Sequence, residues 1–215
     1  SVIGTRALSS VLVKGKTDGS GIKVTTYNIT YCTTGMYQNA LATAGIEDAE
    51  IVVAGPYNIS GTAALVGAIK SYENMTGETV SKENVDTATN ELVVTGKLAE
   101  SVGDSDKAEQ LVGAVKEQVV EGSDNGKELT EEEIGNVVDQ AAQEMDVQLS
   151  DEDRQEIVAL MDKIKGLDID VDSLKEQAKD LYDKIDDLGL KLDWNQEKVQ
   201  GFFSKIIEFF KNLFS

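Results

Sequence analysis

The sequence contains no histidine among its 215 residues. It therefore has no Ser-His-Asp triad, no Cys-His pair and no zinc site of the histidine-rich kind. A single cysteine, Cys32, has no partner for an internal disulfide, and we expect its side chain to be a small buried apolar group. These absences exclude many hydrolytic and metal-dependent mechanisms from the residues of this sequence.

Proline and long apolar runs are also scarce. There is one proline, and no run of 18 or more apolar residues, the length typical of a membrane-spanning helix. Apolar residues at 40% and charged residues at 27% are ordinary for a globular protein. Because apolar residues recur at a spacing of three to four, the sequence predicts much helix.

Basic residues are few, and the imbalance is concentrated in the second part of the chain. The formal net charge is -19. Residues 1–80 contain 5 Lys/Arg and 6 Asp/Glu, whereas residues 81–215 contain 15 Lys/Arg and 33 Asp/Glu. Such a field repels phosphate backbones, so we expect no nucleic-acid partner, and it disfavours an anionic membrane surface. Solvated helix faces are the simplest interpretation of the acidity, with attraction of divalent cations or basic surfaces as the alternative.

The first 80 residues predict a small α/β unit in the order β-β-α-β-α. The segments "ALSSVLVK" and "IKVTTYNITY" are rich in β-branched residues and are joined by a turn-forming stretch, which predicts a β-hairpin. A helix follows, with Thr33 or Thr34 as its N-cap and Gly45 at its end. The strand "AEIVVAGP" should end at its glycine and proline, and Ser60 should cap the second helix.

From residue 81 onward the pattern predicts helices only. Their expected ranges are about 81–102, 104–121, 130–146, 150–165, 172–187 and 195–214. Capping boxes mark two of the starts, "TEEE" from Thr130 and "SDED" from Ser150. The stretch "GSDNG" at 122–126 predicts a flexible joint. We therefore expect an α+β protein, with an α/β unit and its following helices in 1–125 and an acidic helical bundle in 126–215.

Three short motifs resemble chemical signatures but lack a required part. "SGIK" at Ser20–Lys23 has the Ser-x-x-Lys spacing, but its serine lies in a turn and no Lys-Thr-Gly strand exists. "GTAALVGAIKS" lacks the lysine that directly follows the second glycine of a phosphate loop. "DIDVDS" lacks the glycine and glutamate of a calcium loop. We predict no cofactor and no metal site, and the residues identify no catalytic group.

The last 15 residues, "GFFSKIIEFFKNLFS", predict a strongly amphipathic helix. Its apolar side forms a candidate docking face, which consists of Phe202, Phe203, Ile206, Ile207, Phe209, Phe210, Leu213 and Phe214. Such a helix is stable only when docked, because ordering it costs about as much free energy as burying its face gains. The favoured site is the protein's own core, with a partner or second copy next and a membrane interface last, since its polar side holds only two lysines.

Three stretches resemble a known family: "IGTRALSS", "MYQNALATAGIEDAEIVVAGPYNISGTAALVGAIKSYE" and "LSDEDRQEIVALMDKIK". They are similar to the YpuA-like proteins, a family of secreted Gram-positive bacterial proteins classed as a domain of unknown function. The resemblance implies a precursor with a signal peptide, a further N-terminal segment and an extracellular or cell-envelope location. It supplies no catalytic residues.

The function expected from these observations is that of a non-catalytic binding or structural module of the cell envelope, with a wall or envelope component as partner. One alternative is a hydrolase that acts on wall polymers through a pair of carboxylates. Another is a protein that docks on a membrane or partner through the terminal helix. An enzyme should show a cleft with two converging acids, whereas a binding module should show a flat or apolar surface.

Overall fold

A computed structural model describes residues 7–17, 19–124, 129–167, 169–170 and 174. The strands found there are β1 (Ser10–Gly15), β2 (Ile22–Ile29) and β3 (Ala49–Ile59). The helices found there are α1 (Thr34–Thr43), α2 (Ala64–Thr76), α3 (Lys82–Val102), α4 (Ser105–Asp124), α5 (Glu131–Glu144) and α6 (Asp151–Ile164). The element order confirms the α+β class and the expected β-β-α-β-α start.

The strands form one sheet in the order β1-β3-β2, so the predicted β-hairpin is wrong. Strand β3 lies between the other two, antiparallel to β1 and parallel to β2. Its central position agrees with its burial, since its alternate residues Ile51 and Val53 are fully buried. The connection from β1 to β2 must then pass the end of β3, where Asp48 Oδ1 accepts hydrogen bonds from the backbone N–H groups of Ser20 (2.6 Å) and Gly21 (2.8 Å).

Strand β3 also continues past the glycine and proline at which it was expected to end. It runs on to Ile59, which pairs with Ile29 of β2 across an irregularity in the register. Asn28 adopts a left-handed conformation there (φ 56°), and its Nδ2 donates a hydrogen bond of 2.9 Å to the carbonyl oxygen of Gly55. The bulge absorbs the extra residues of β3 and allows pairing to resume beyond Pro56.

The helix starts follow the capping residues in most cases. Thr33 caps α1, and both capping boxes are present, at Thr130 for α5 and at Ser150 for α6. The expected cap at Ser60 is wrong: α2 begins later, after Ala63, without a side-chain cap. The carbonyl oxygen of Ser60 instead accepts a hydrogen bond of 3.1 Å from the backbone N–H of Cys32, which ties this residue to the end of β2.

Helices α1 and α2 cover one side of the sheet, with α1 next to β2 and α2 next to β1. A Cβ at Gly67 of α2 would lie 3.4 Å from Val11 Cγ2, so the missing side chain lets this helix approach the sheet closely. The later helices pack on α1 and on each other, with α3 in contact with α1, α4 and α6. The sheet and these helices therefore share a continuous core.

The four helices from α3 to α6 match their predicted ranges to within a few residues. Helix α4 extends to Asp124, through the first part of the expected joint. Of the predicted helix 172–187, the structure describes only residue 174, and the predicted helix 195–214 lies outside the described residues, as does the candidate docking face. The domain boundary near residue 125 stays a prediction.

The two sides of the sheet should respond differently to the same kind of substitution. Leu12, which is 53% exposed, should tolerate threonine with a change of less than about 0.5 kcal/mol in the free energy of unfolding. Val53→Thr should lower that free energy by about 1 to 3 kcal/mol, because the new hydroxyl is buried. Urea unfolding followed by circular dichroism measures both values, and equal losses would contradict the one-sided sheet.

Candidate binding surface on the sheet

The side of the sheet opposite α1 and α2 faces solvent, and we call it the outer face. Strand pairing arranges its residues in three rows, in the strand order β1, β3, β2. The rows are Ser10–Ala54–Tyr27, Leu12–Val52–Thr25 and Lys14–Glu50–Lys23. Because strand residues alternate between the two sides, the buried residues of β3 all point the other way.

The first two rows contain an apolar block, which consists of Leu12, Val52 and Tyr27. Leu12 is 53% exposed and Tyr27 is 59% exposed. Two further large exposed side chains, Leu8 before β1 and Tyr57 in the bulge of β3, extend the exposed apolar surface near the sheet. A contiguous exposed apolar patch on a folded protein is typical of an interaction site.

The third row forms a basic end, which consists of Lys14, Lys16, Lys23 and Glu50. The Glu50 carboxylate lies 3.5 Å from Lys14 Nζ and 3.1 Å from Lys16 Nζ. A hydrogen bond from Lys16, together with the charge of Lys14, lowers the pKa of Glu50, so this carboxyl stays ionised. Asp48 lies at the same end of β3, so three lysines are present with two acids, and the net charge of this end is slightly positive.

The sheet offers two edges as well as a face. Both β1 and β2 pair only with β3 among the described strands, so each has one side of its backbone unpaired there. Unpaired strand edges are a template for an added strand from another chain. An exposed sheet face with apolar and charged side chains suits contact with a partner.

A buried charge network lies on the other side of α1 and is the main polar feature of the core. Lys116 of α4 and Glu91 of α3 form an ion pair at 2.9 Å, with side chains only 2% and 0% exposed. Lys116 Nζ also donates to the carbonyl oxygen of Asn39 (2.7 Å) and to Thr43 Oγ1 (3.2 Å). The Thr43 hydroxyl in turn donates to Glu91 Oε2. All three ammonium protons have acceptors, which satisfies the buried charge.

A second buried carboxylate lies at the N-terminus of α1. Glu109 of α4 accepts a hydrogen bond from the Thr33 hydroxyl, and a Cβ at Gly35 would clash with Glu109 Oε1. Negative charge at a helix N-terminus is stabilising because the first backbone N–H groups carry partial positive charge. The position that a bound anion could take is thus occupied by the protein's own side chain. We interpret both clusters as structural, because their hydrogen-bond partners come from the helices that they join.

Removing one partner of the buried ion pair should lower the free energy of unfolding strongly, whereas removing both charges should lower it much less. Lys116→Met should lower the free energy of unfolding by about 3 to 5 kcal/mol, because it leaves the Glu91 carboxylate buried without its partner. The double variant Lys116→Met/Glu91→Leu should recover most of that loss. Urea unfolding of the single and double variants measures the coupling.

The surface ion pair of Lys97 and Glu156 supplies the matched control. Lys97→Met should lower the free energy of unfolding by less than about 1 kcal/mol, because solvent reaches both side chains of this pair, which are 47% and 29% exposed. If Lys116→Met lowers the free energy of unfolding by as little as Lys97→Met does, the buried pair does not hold α3 and α4 together.

Cys32 is buried, as predicted, and its thiol lies beside Tyr37. Burial raises the pKa of the Cys32 thiol to about 12, and the hydrogen bond with Tyr37 offsets part of that rise. The Tyr37 hydroxyl donates a hydrogen bond of 2.6 Å to the carbonyl oxygen of Gly61. The thiol is therefore neutral at physiological pH and behaves as a small apolar group.

Native protein should react very slowly with thiol reagents at pH 8. With a pKa of about 12 for Cys32, only about one thiol in ten thousand is ionised at that pH, and the sulfur is also sheltered from the reagent. A chromogenic disulfide reagent should give full reaction in 8 M urea and almost none in buffer. Rapid stoichiometric labelling of the folded protein would contradict the burial.

A groove between α3 and α6 is the place where the described residues come nearest to a cleft with acids. It encloses about 610 Å³ and is lined by Lys82, Glu83, Asp86, Thr87, Asp162, Lys163 and Gly166. Its aspartates are ion-paired, Asp86 with Lys82 and Asp162 with Lys165. Such pairing is typical of a solvated ionic surface, so the groove does not favour the hydrolase alternative, which stays a prediction.

The sequence offered the terminal helix as a candidate docking face, with the protein's own core as its favoured site, and it did not single out the outer face. The signal was present in the alternation of "SVLVK" and "IKVTTY", where every second residue is polar or large and exposed. Alternation alone does not say whether the second face is covered by helices. That depends on where the helices pack, which the sequence pattern leaves open.

The fold defines an α+β protein whose sheet is covered on one side and open on the other. No solved structure matches the chain. No helix among the described residues combines the length and apolarity needed to cross a membrane.

The chain belongs to the family described as "Protein of unknown function (DUF1002)", whose model matches residues 1–181. It is 36% identical over 216 residues to "Uncharacterized protein YpuA" of Bacillus subtilis (strain 168). That match covers 99% of this chain and 70% of the relative. The resemblance drawn from the three sequence stretches is thereby confirmed.

Proposed function

We propose that the protein is a non-catalytic binding module that works outside the cell at the envelope, and that the outer face is its contact surface. The observation that carries the proposal is the one-sided sheet: α1 and α2 cover one side, and the apolar block stays exposed on the other. Exposed apolar area is retained against its cost in solubility where a partner covers it.

The rigidity of the surface also supports binding. The outer face is built on three paired strands whose opposite side is part of the core, with Ile51 and Val53 fully buried. A contact surface on a rigid sheet loses little conformational entropy when a partner docks. The extracellular location rests on the resemblance to secreted proteins and is part of the proposal.

Binding to isolated Gram-positive cell envelopes tests the proposed function. We expect the purified protein to sediment with envelopes, and the double variant Leu12→Thr/Tyr27→Ser to bind at least about ten-fold more weakly, because the centre of a contact surface dominates its affinity. The variant Val66→Thr/Met75→Ser, which changes exposed apolar residues on α2, serves as the control and should bind like the wild type.

Two results would contradict the proposal. One is equal binding by the wild type and the Leu12/Tyr27 variant, which would place the contact elsewhere. The other is release of soluble wall fragments in proportion to added protein, which would indicate a hydrolase.

A further inference from the structure

We propose that the outer face binds an acidic, amphipathic polypeptide segment of a partner protein. The inference rests on the proposed function, since it names the chemistry of the partner for the same surface. Apolar side chains of the segment would cover the apolar block, and its carboxylates would lie against the basic end. The argument follows from the register of the strands and from the distribution of charge.

The strand register fixes how far apart the two kinds of contact lie. Leu12 and Lys14 are two residues apart on β1, which places them about 7 Å apart along the strand. Tyr27 and Lys23 are four residues apart on β2, or about 13 Å. Residues on one side of an extended segment repeat at the same spacing. A peptide with carboxylates two to four residues from its apolar side chains therefore matches both parts of the surface.

Charge complementarity sets the sign of the partner. The basic end has three lysines and one glutamate, with Asp48 beside it, in a chain whose formal charge is -19. Lys23 forms no ion pair with any other described residue, so its ammonium is available to a ligand. A basic partner would be attracted to the acidic residues from 81 onward instead of to this end of the sheet.

The composition of the apolar block favours a polypeptide over a sugar polymer or a lipid surface. Leu12 and Val52 are aliphatic and lie in the middle row of the outer face, where they suit apolar side chains. Three lysines give weak attraction to anionic lipid, and the charge of the rest of the chain opposes it. The unpaired edges of β1 and β2 add backbone donors and acceptors that an extended peptide uses well.

Two labelled model peptides provide the probe. One alternates leucine and glutamate over twelve residues, and the other alternates leucine and lysine. Fluorescence anisotropy should show that the chain binds the acidic peptide, more tightly at 50 mM than at 500 mM NaCl. The basic peptide, which the acidic residues from 81 onward attract, serves as a control: charge reversal at Lys14 and Lys23 should not weaken its binding. Vesicles that contain phosphatidylglycerol form a third arm and should show no binding.

Charge reversal then locates the site. Lys14→Glu/Lys23→Glu should weaken binding of the acidic peptide by about ten-fold or more, because two attractive contacts become repulsive. The control Lys70→Glu/Lys82→Glu changes the net charge equally at exposed positions on α2 and α3, and should leave binding unchanged. Circular dichroism and the urea midpoint show that each variant is folded.

Several outcomes would overturn the inference: no binding of the acidic peptide, equal effects of the two charge reversals on the binding of that peptide, or binding to vesicles alone. Each is distinct from failure of the proposed function. Envelope binding could depend on Leu12 and Tyr27 while Lys14→Glu/Lys23→Glu binds the acidic peptide like the wild type. In that case the outer face is the contact surface, but the proposal of an acidic partner is wrong.

Discussion

The buried ion pair of Lys116 and Glu91 is the constraint on which the arrangement of the helices depends. Removing two charges from water costs several kcal/mol for each ion, and only close geometry with further hydrogen bonds offsets it. Here the ammonium, on α4, has three acceptors on two other helices: a carboxylate on α3, and a hydroxyl and a backbone carbonyl on α1. Any displacement of one of the helices would leave a buried charge without a partner, so the pair fixes α1, α3 and α4 relative to each other.

This arrangement has a consequence for the sheet. Helix α1 packs on β2 with one side and on α3 and α4 with the other, so the later helices continue the core away from the strands. The contact between α1 and α4 is close: a Cβ at Gly113 would lie 3.3 Å from Asn39 Oδ1, and Asn39 Nδ2 donates to the carbonyl oxygen of Glu109. Among the described elements, the helices therefore gather on one side of the sheet, and the outer face stays open.

Local features of the fold were predictable from the sequence, because they depend on neighbouring residues. Thr33, Thr130 and Ser150 cap helices by bonding backbone N–H groups three residues on, which sequence spacing reveals. The order of the strands was not predictable in this way. A turn-rich connection between β1 and β2 is compatible both with a hairpin and with a passage around the end of β3, and Asp48, 27 and 28 residues from its partners Gly21 and Ser20, decides between them.

The proposed binding surface was not predictable from the sequence for the same reason. Lys14, Glu50 and Lys23 come from three strands and meet only when β3 lies between β1 and β2. Lys116 likewise looks like an ordinary polar position in "AVKEQ", and its burial depends on the presence of Glu91, 25 residues earlier. Charge on a helix usually faces solvent, so the sequence pattern alone favours an exposed lysine there.

The central claim is that the outer face is the working surface of the protein. Hydroxyl-radical footprinting of the protein on and off cell envelopes tests it directly, because tyrosine and leucine side chains are oxidised only while solvent reaches them. The account predicts that Tyr27 and Leu12 become protected on envelopes while Met75, exposed on α2, is oxidised as before. Unchanged oxidation of Tyr27 and Leu12 in envelope-bound protein would contradict it.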